Sequence, residues 1–338
     1  MCSFARKEAF PMNKSKYIKG ISNAKYGYFF SLPFIIAFLI FSLYPTFYTA
    51  FIGFTDCQGA GNTDWHILDE PLANFKSVLT NATFLESIKT TVIIWVMNFI
   101  PQICLAMLLT AWFTARRIAV KGQGLFKVIF YMPNIITAAT IALLFHALFS
   151  YPIGPVNDLL VSFGLRDTPF NFFVQKWGSK IIVAFIQFWT WYGYTMIILI
   201  SGVLGISPDI YEAADIDGAN GVQTFFRITL PNIKTILLYT LVTSLIGGLN
   251  MFDIPYLYLN GGPDKATNTT NVFIYKQAFT GKNFYNRAAC ASMVMFVIIC
   301  VCSAFVFYIM RDKDAEELKK IKKQEKKAAK RLGARQWQ

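Results

Sequence analysis

Six long apolar stretches constrain this chain more strongly than any other feature of its sequence. Each is long enough, at about 20 residues or more, to cross the hydrocarbon core of a bilayer as a helix. The stretches cover residues 28–54, 91–114, 125–150, 181–205, 235–259 and 288–310. Only 15% of the 338 residues are charged, whereas soluble domains carry about a quarter. The sequence therefore predicts an all-α polytopic membrane protein with six transmembrane helices.

The distribution of basic residues predicts the orientation of these helices. With the N-terminus inside, 23 of the 32 Lys and Arg residues fall on the cytoplasmic side, as the positive-inside rule requires. We therefore expect both termini to be cytoplasmic. A basic N-terminal segment over residues 1–25 and a basic tail over residues 311–338 would flank a membrane domain over residues 26–310. This topology accounts for the formal net charge of +13 without a nucleic-acid partner.

A structured cytoplasmic segment is predicted between the fourth and fifth stretches, over residues 207–231. It begins with a Ser-Pro pair, which favours a helix start, and contains two glycine breaks. The segment is therefore expected to fold as two short helices joined by a glycine turn. Such a unit can transmit force to a soluble partner, with Phe225 and Phe226 as apolar anchors. The alternative is a linker that folds back onto the membrane.

The same segment carries a long motif, EAA-x3-G-x9-I-x-LP, from Glu212 to Pro231. It resembles the coupling loop of binding-protein-dependent ABC importer permeases. Three further runs are similar to the carbohydrate branch of that family: YMP at 131–133, GPVN at 154–157 and MFDIPY…NGGP…ATNTT over 251–270. Within that branch the chain resembles the maltose-type first permease chain, over about residues 25–310. The resemblance implies the type I ABC importer permease fold.

The resemblance also implies partners and a place in the cell. Such a permease lies in the inner or plasma membrane of a bacterial cell and pairs with a second, different permease subunit. Two ATPase subunits close beneath it on ATP, and an extracellular or periplasmic sugar-binding protein delivers a neutral oligosaccharide. The ATPase contact is then expected at the following residues of the motif segment: Glu212, Ala213, Ala214, Asp217, Gly218, Phe225 and Phe226.

The chain itself is not expected to be an enzyme. It has no Walker A pattern, so ATP and magnesium would be bound by the ATPase subunits. Its six cysteines form no CxxC pair and its two histidines are 80 residues apart, so neither a metal site nor another cofactor is expected. An enzyme embedded in the membrane would need a cluster of His, Asp or Glu at membrane depth, and the apolar stretches show none.

Polar groups within apolar spans are costly and therefore mark candidate ligands. The fourth and fifth stretches carry several, and alignment to the maltose-type pattern selects positions on both. Substrate contacts are expected at Gln187, Trp191, Gly193, Met196, Ser244, Gly247, Gly248, Asn250 and Met251. The maltose type has amides where this chain has Gly248 and Met251. The resemblance therefore implies fewer hydrogen bonds, more space, and either a different or larger sugar or a partner chain that makes most of the contacts.

Two other transport functions stay open at this point. A glycerol-phosphate or polyol permease belongs to the same class, but a phosphate ester favours Arg or Lys in the site. The central turns of the fourth and fifth stretches contain neither. An ion-coupled secondary transporter usually has more spans, in two related halves, with charges near the midplane. Six spans and the EAA motif argue against it. The sequence does not predict which sugar is carried or its chain length.

Overall fold

The computed structural model describes residues 24–59, 61, 64–115, 121–281 and 283–310. The expected basic tail, and nearly all of the expected basic N-terminal segment, lie outside these residues. The chain divides into two units, of which the first ends at Thr49 and the second begins at Ala50. Five helices are long and apolar enough to cross a membrane, and a sixth span results if one bent pair of helices is counted as one.

The first predicted span is a continuous helix over Tyr26–Ile52. It consists of α1 (Ala24–Phe38), a π-helical turn (Leu39–Leu43) and α2 (Tyr44–Ile52). The π-helical turn ends two residues before Pro45, which has no N–H to donate to the carbonyl one turn earlier. The wider turn accommodates the proline ring without ending the helix.

Helices of the second unit follow in the order α3 (Ala73–Leu79), α4 (Ala82–Thr114), α5 (Gln123–Ile135), α6 (Ala138–Leu148), α7 (Pro155–Ser162), α8 (Lys176–Leu204), α9 (Pro208–Ile216), α10 (Gly221–Gln223), α11 (Leu230–Asn232), α12 (Lys234–Leu249), α13 (Asp253–Leu259), α14 (Thr270–Phe279) and α15 (Tyr285–Met310). A π-helical stretch, Thr224–Thr229, joins α10 to α11. The predicted second, fourth, fifth and sixth spans correspond to α4, α8, α12 with α13, and α15.

The third predicted span is not one straight helix. It is divided into α5 and α6, whose axes differ by 89°. Ile136 and Thr137 have extended backbones between the two helices, and the Thr137 side chain accepts a hydrogen bond from the N–H of Thr140, which starts α6. Pro133, in the last turn of α5, weakens that helix just before the break. The expectation of a single helix over residues 125–150 is therefore wrong in its geometry.

The longest interface of the second unit runs between α4 and α8. An aliphatic and aromatic cluster that includes Leu109, Phe113 and Leu199 fills the interface between the C-terminal halves of the two helices. A second cluster, which includes Ile94, Ile141 and Ile186, joins their N-terminal halves to α6 and α13. Because lipid tails are as apolar as these side chains, the clusters stabilise the association of the helices mainly through close van der Waals packing. The two clusters thus fix α8 as the central helix of the unit.

Candidate functional site

A cavity of about 480 Å³ lies among α4, α5, α6, α8, α12 and α13. Seven of the nine expected substrate contacts line it: Gln187, Trp191, Ser244, Gly247, Gly248, Asn250 and Met251. The structure thus brings residues of the fourth and fifth spans together around one space. That they contact a substrate stays a prediction.

The two other expected contacts, Gly193 and Met196, lie outside this cavity. They are on the face of α8 that packs against α4 and α5. A Cβ atom on Gly193 would overlap the carbonyl group of Phe130, so glycine permits α5 and α8 to approach closely. Met196 is fully buried in the cluster that contains Leu109 and Phe113. The structure therefore corrects the expected lining at these two positions.

The adjacent glycines Gly247 and Gly248 differ in their surroundings. A Cβ atom on Gly247 would meet no atom within 4 Å, so the cavity provides open space there. A Cβ atom on Gly248 would overlap the indole ring of Trp95. The expectation that Gly248 provides space for a larger sugar is therefore wrong, because Trp95 of α4 fills that space.

Three amide side chains that the alignment did not select also line the cavity: Asn98 and Gln102 of α4 and Asn134 of α5. The Nε2 atom of Gln102 donates to Thr195 Oγ1 at 2.8 Å, and Nδ2 of Asn134 donates to the Thr190 carbonyl at 3.3 Å. The spacing of Asn98 and Gln102, four residues apart in an apolar span, was a usable signal for this polar face. The cavity therefore has amide side chains, although Gly248 and Met251 stand where the maltose type has amides.

The fifth span is interrupted at the cavity, over residues 250–252, and side chains near α14 bond to the carbonyls that this break leaves without partners in the helix. Thr269 Oγ1 donates to the Met251 carbonyl at 2.9 Å, and Asn271 Nδ2 donates to the Asn250 carbonyl at 2.8 Å. A hydrogen bond of 3.1 Å between the hydroxyls of Thr270 and Thr91 joins α14 to α4. The Thr-rich run therefore supports the broken helix, which needs such partners within a membrane.

The charge in the cavity is negative. Asp253, at the start of α13, is the one charged side chain among its lining residues. At the first residue of α8, the Lys176 ammonium lies 2.7 Å from the carboxylate of Asp264, which follows the fifth span, and holds the pKa of that carboxyl below its ordinary value. Both side chains of this ion pair are exposed, so its contribution to stability is small. No group of His, Cys, Asp or Glu suited to a metal ion occurs among the described residues.

The segment over residues 207–231 folds as two helical stretches joined at Gly218, as expected. Gly218 has a φ of 73°, in the left-handed region that favours glycine. The second stretch starts with a capping box, in which the side chains and backbone N–H groups of Asn220 and Gln223 bond reciprocally. Ser207 makes no side-chain cap. The hydroxyls of Tyr211 and Thr229, 3.1 Å apart, connect the two stretches.

Apolar side chains project from this segment. The side chains of Ile216, Val222 and Phe226 are 86%, 68% and 60% exposed. Phe225 is half-buried and makes an edge-to-face contact with Phe226, so only Phe226 of the expected pair projects fully. Glu212, Ala213, Asp217 and Gly218 are exposed, whereas Ala214 is buried. An exposed apolar patch of this kind is typical of a protein-binding surface.

Apolar helices around a polar cavity, with a projecting helix pair between the fourth and fifth spans, are the features of a multi-pass membrane protein. The sequence model of the family described as "binding-protein-dependent transport system inner membrane component" matches residues 89–313. The chain belongs to this family. The expected identification from the EAA motif is therefore confirmed.

Several known proteins similar to this chain are named as sugar permeases, and another, the sn-glycerol-3-phosphate transport permease UgpA of Agrobacterium fabrum, is 29% identical over 70% of this chain and 78% of its own length. The lactose transport permease LacF of Rhizobium radiobacter is 28% identical over 85% of this chain and 94% of its own length. The multiple sugar-binding transport permease MsmF of Streptococcus mutans is 27% identical over 85% of this chain and 95% of its own length. Among solved structures, one chain of a bacterial ABC transporter involved in the import of the acidic polysaccharide alginate is similar to this fold, with a TM-score of 0.72. The two chains are 25% identical, and the match covers 86% of this chain and 96% of that one. The ABC importer permease fold is thereby confirmed.

Proposed function

We propose that this chain is the transmembrane permease subunit of an ATP-driven importer of neutral oligosaccharides. It forms half of the translocation pathway, and a second permease subunit completes it. The composition of the cavity carries the proposal. Amides, hydroxyls and the rings of Trp191 and Tyr194 line a space of about 480 Å³, a size typical of small-molecule sites. Hydroxyl-rich sugars bind through hydrogen bonds and aromatic faces, and relatives of this chain are named for sugars.

The cavity charge favours a neutral sugar over a phosphate ester. No Lys or Arg is among its lining residues, and Asp253 contributes a carboxylate. An anionic substrate would be repelled by that carboxylate and would lack a basic partner. Glycerol phosphate is therefore the weaker candidate.

The helix pair over residues 207–231 is proposed as the contact with the ATPase subunits. Four spans separate it from the N-terminus, so it lies on the same side as both termini, which the basic residues assign to the cytoplasm. Its exposed Ile216, Val222 and Phe226 provide an apolar anchor for a groove. ATP and magnesium bind in the partner, and closure of the ATPase pair moves this segment and opens the cavity to the other side. A sugar-binding protein delivers the substrate from outside.

Uptake by cells that carry the whole transporter tests this function. Labelled lactose, maltotriose and glycerol phosphate are supplied with an ionophore or with an ATP-depleting treatment. We expect uptake of a neutral sugar that survives collapse of the ion gradients and stops without ATP. Uptake that stops with the ionophore while ATP is maintained would indicate an ion-coupled transporter. Uptake of glycerol phosphate alone would overturn the assignment to neutral sugars.

A further inference from the structure

Two amide side chains of α4, Asn98 and Gln102, face the cavity one helical turn apart. Residues four apart on a helix lie about 6 Å from each other on one face, so the two amides form a continuous polar strip. Each side chain is only 5% exposed, yet both line the cavity. The exposed part of this polar strip therefore faces the cavity, where a ligand can contact it.

The hydrogen bonds of this strip use its N–H groups and leave its carbonyl oxygens unpaired. Asn98 Nδ2 donates to the Ile94 carbonyl at 3.1 Å, and Gln102 Nε2 donates to Thr195 Oγ1 at 2.8 Å. Among the described residues, nothing donates to Asn98 Oδ1 or Gln102 Oε1. Neither oxygen is among the enclosed polar atoms that lack a partner, so both are open to the cavity that their residues line. Amides are costly at membrane depth, and two acceptors that face one cavity can be paired by the hydroxyl groups of a ligand.

We propose that Asn98 and Gln102 bind the substrate directly and contribute to the choice of sugar. Their carbonyl oxygens accept hydrogen bonds from two sugar hydroxyls. This inference rests on the proposed function and extends the site from α8 and α12 to α4. It also explains how the cavity retains hydrogen-bonding capacity although Gly248 and Met251 carry no amide.

The alternative is that Asn98 and Gln102 serve only to pack α4 against its neighbours, and the contacts of the two residues differ in how well they fit that role. The Gln102 side chain joins α4 to α8 through Thr195, and such a bond stabilises helix association in membranes. Asn98 bonds only within its own helix, so a packing role does not require its amide.

A suitable control is Thr110 on the same helix. It is fully buried, lies near the Met196 carbonyl and does not line the cavity.

Sugar preference in vesicles that contain the complete transporter tests the inference. Lactose, maltotriose and raffinose are screened first, and the sugar taken up fastest is then compared with its monodeoxy derivatives. The ratio of the two uptake rates in one sample is independent of the amount of folded transporter. Because the binding protein is unchanged, a difference in this ratio between the wild type and a variant reports on the permease. Variants are Asn98→Leu, Gln102→Leu and the control Thr110→Val. Asn98→Ala and Gln102→Ala form a second pair that removes the amides without adding bulk.

The wild type should prefer the parent sugar over at least one derivative. Removal of either amide should reduce that preference by a factor of about three to ten, the equivalent of one neutral hydrogen bond. Thr110→Val should leave the preference unchanged. An unchanged preference in all four amide variants would overturn the inference while the proposed function stands. Uptake by the wild type that depends on an ion gradient and not on ATP, or uptake of glycerol phosphate alone, would overturn both.

Discussion

The indole ring of Trp95 occupies the position that a side chain at residue 248 would take. A Cβ atom built on Gly248 would overlap Cδ1 of Trp95 and lie 2.6 Å from its Nε1. Glycine at this position therefore serves the packing of α4 against α12, and its neighbour Gly247 provides the open space of the cavity. The two glycines form a matched pair that separates packing from cavity volume.

Gly247→Leu should block sugar uptake without loss of protein. The new side chain enters open space, so neither the fold nor the membrane level of the transporter should change. Uptake by membranes with equal transporter content measures the effect. We expect a decrease of about tenfold or more, because small displacements of a substrate in its site cost large factors in rate. Normal uptake would place the pathway elsewhere.

Gly248→Leu should instead reduce the amount of assembled transporter. Its side chain must displace Trp95, and overpacking of this kind costs about 1 to 3 kcal/mol. Combination with Trp95→Ala should restore assembly, because the small residue vacates the space. The amount of intact complex in detergent measures both effects. A Gly248→Leu protein that assembles normally without the second change would contradict the proposed contact.

Gly218 should tolerate asparagine and reject valine. Its φ of 73° lies in the left-handed region, which asparagine visits and β-branched residues avoid. A Cβ atom there meets nothing within 4 Å, so strain in the backbone is the cause and not a collision. Sugar-stimulated ATP hydrolysis by the complete transporter should persist in Gly218→Asn and be lost in Gly218→Val, with both chains inserted. Wild-type ATP hydrolysis in both variants would exclude a requirement for the left-handed conformation at this turn.

The order of the spans could be predicted because lipid requires about 20 apolar residues per helix, and the predicted number of six holds if the bent pair α5 and α6 is one span. The lining of α8 could also have been predicted more accurately from helical periodicity. Gln187, Trp191 and Tyr194 recur at helical spacing and share the cavity face, whereas Gly193 and Met196 fall on other sides of a helix with 3.6 residues per turn. The alignment to the maltose-type pattern placed Gly193 and Met196 in the site, whereas the helical period places them away from the cavity face.

Other features depend on contacts between residues that are distant in the sequence. Trp95 and Gly248 meet only after α4 and α12 pack, so no local pattern reveals why residue 248 is a glycine. The 89° bend between α5 and α6 likewise depends on tertiary structure. Pro133 indicates a weak point in the helix, but the direction and size of the bend follow from the packing of α6 on α13.

Phe226→Ser should uncouple ATP hydrolysis from sugar import while the chain remains folded. The ring is 60% exposed, so its loss removes little internal packing, whereas loss of an apolar anchor at an interface often costs about 2 kcal/mol or more. A matched control is Leu159→Ser, since Leu159 is similarly exposed on α7. Co-purification of the ATPase with the permease should fall only for Phe226→Ser. An equal decrease in both variants would contradict a specific contact.

Thr269→Val should destabilise the broken fifth span and thereby weaken import. Valine keeps the shape of threonine but removes the hydroxyl that donates to the Met251 carbonyl at 2.9 Å. The buried carbonyl then lacks this donor, which costs about 1 to 3 kcal/mol. We expect a lower unfolding temperature for the purified complex and slower uptake. Ser292→Ala is the control, because its hydroxyl bonds only to the Ala288 carbonyl of its own helix and its loss should change little. Equal stability of the two variants would show that the Thr-rich run does not hold the break at the cavity.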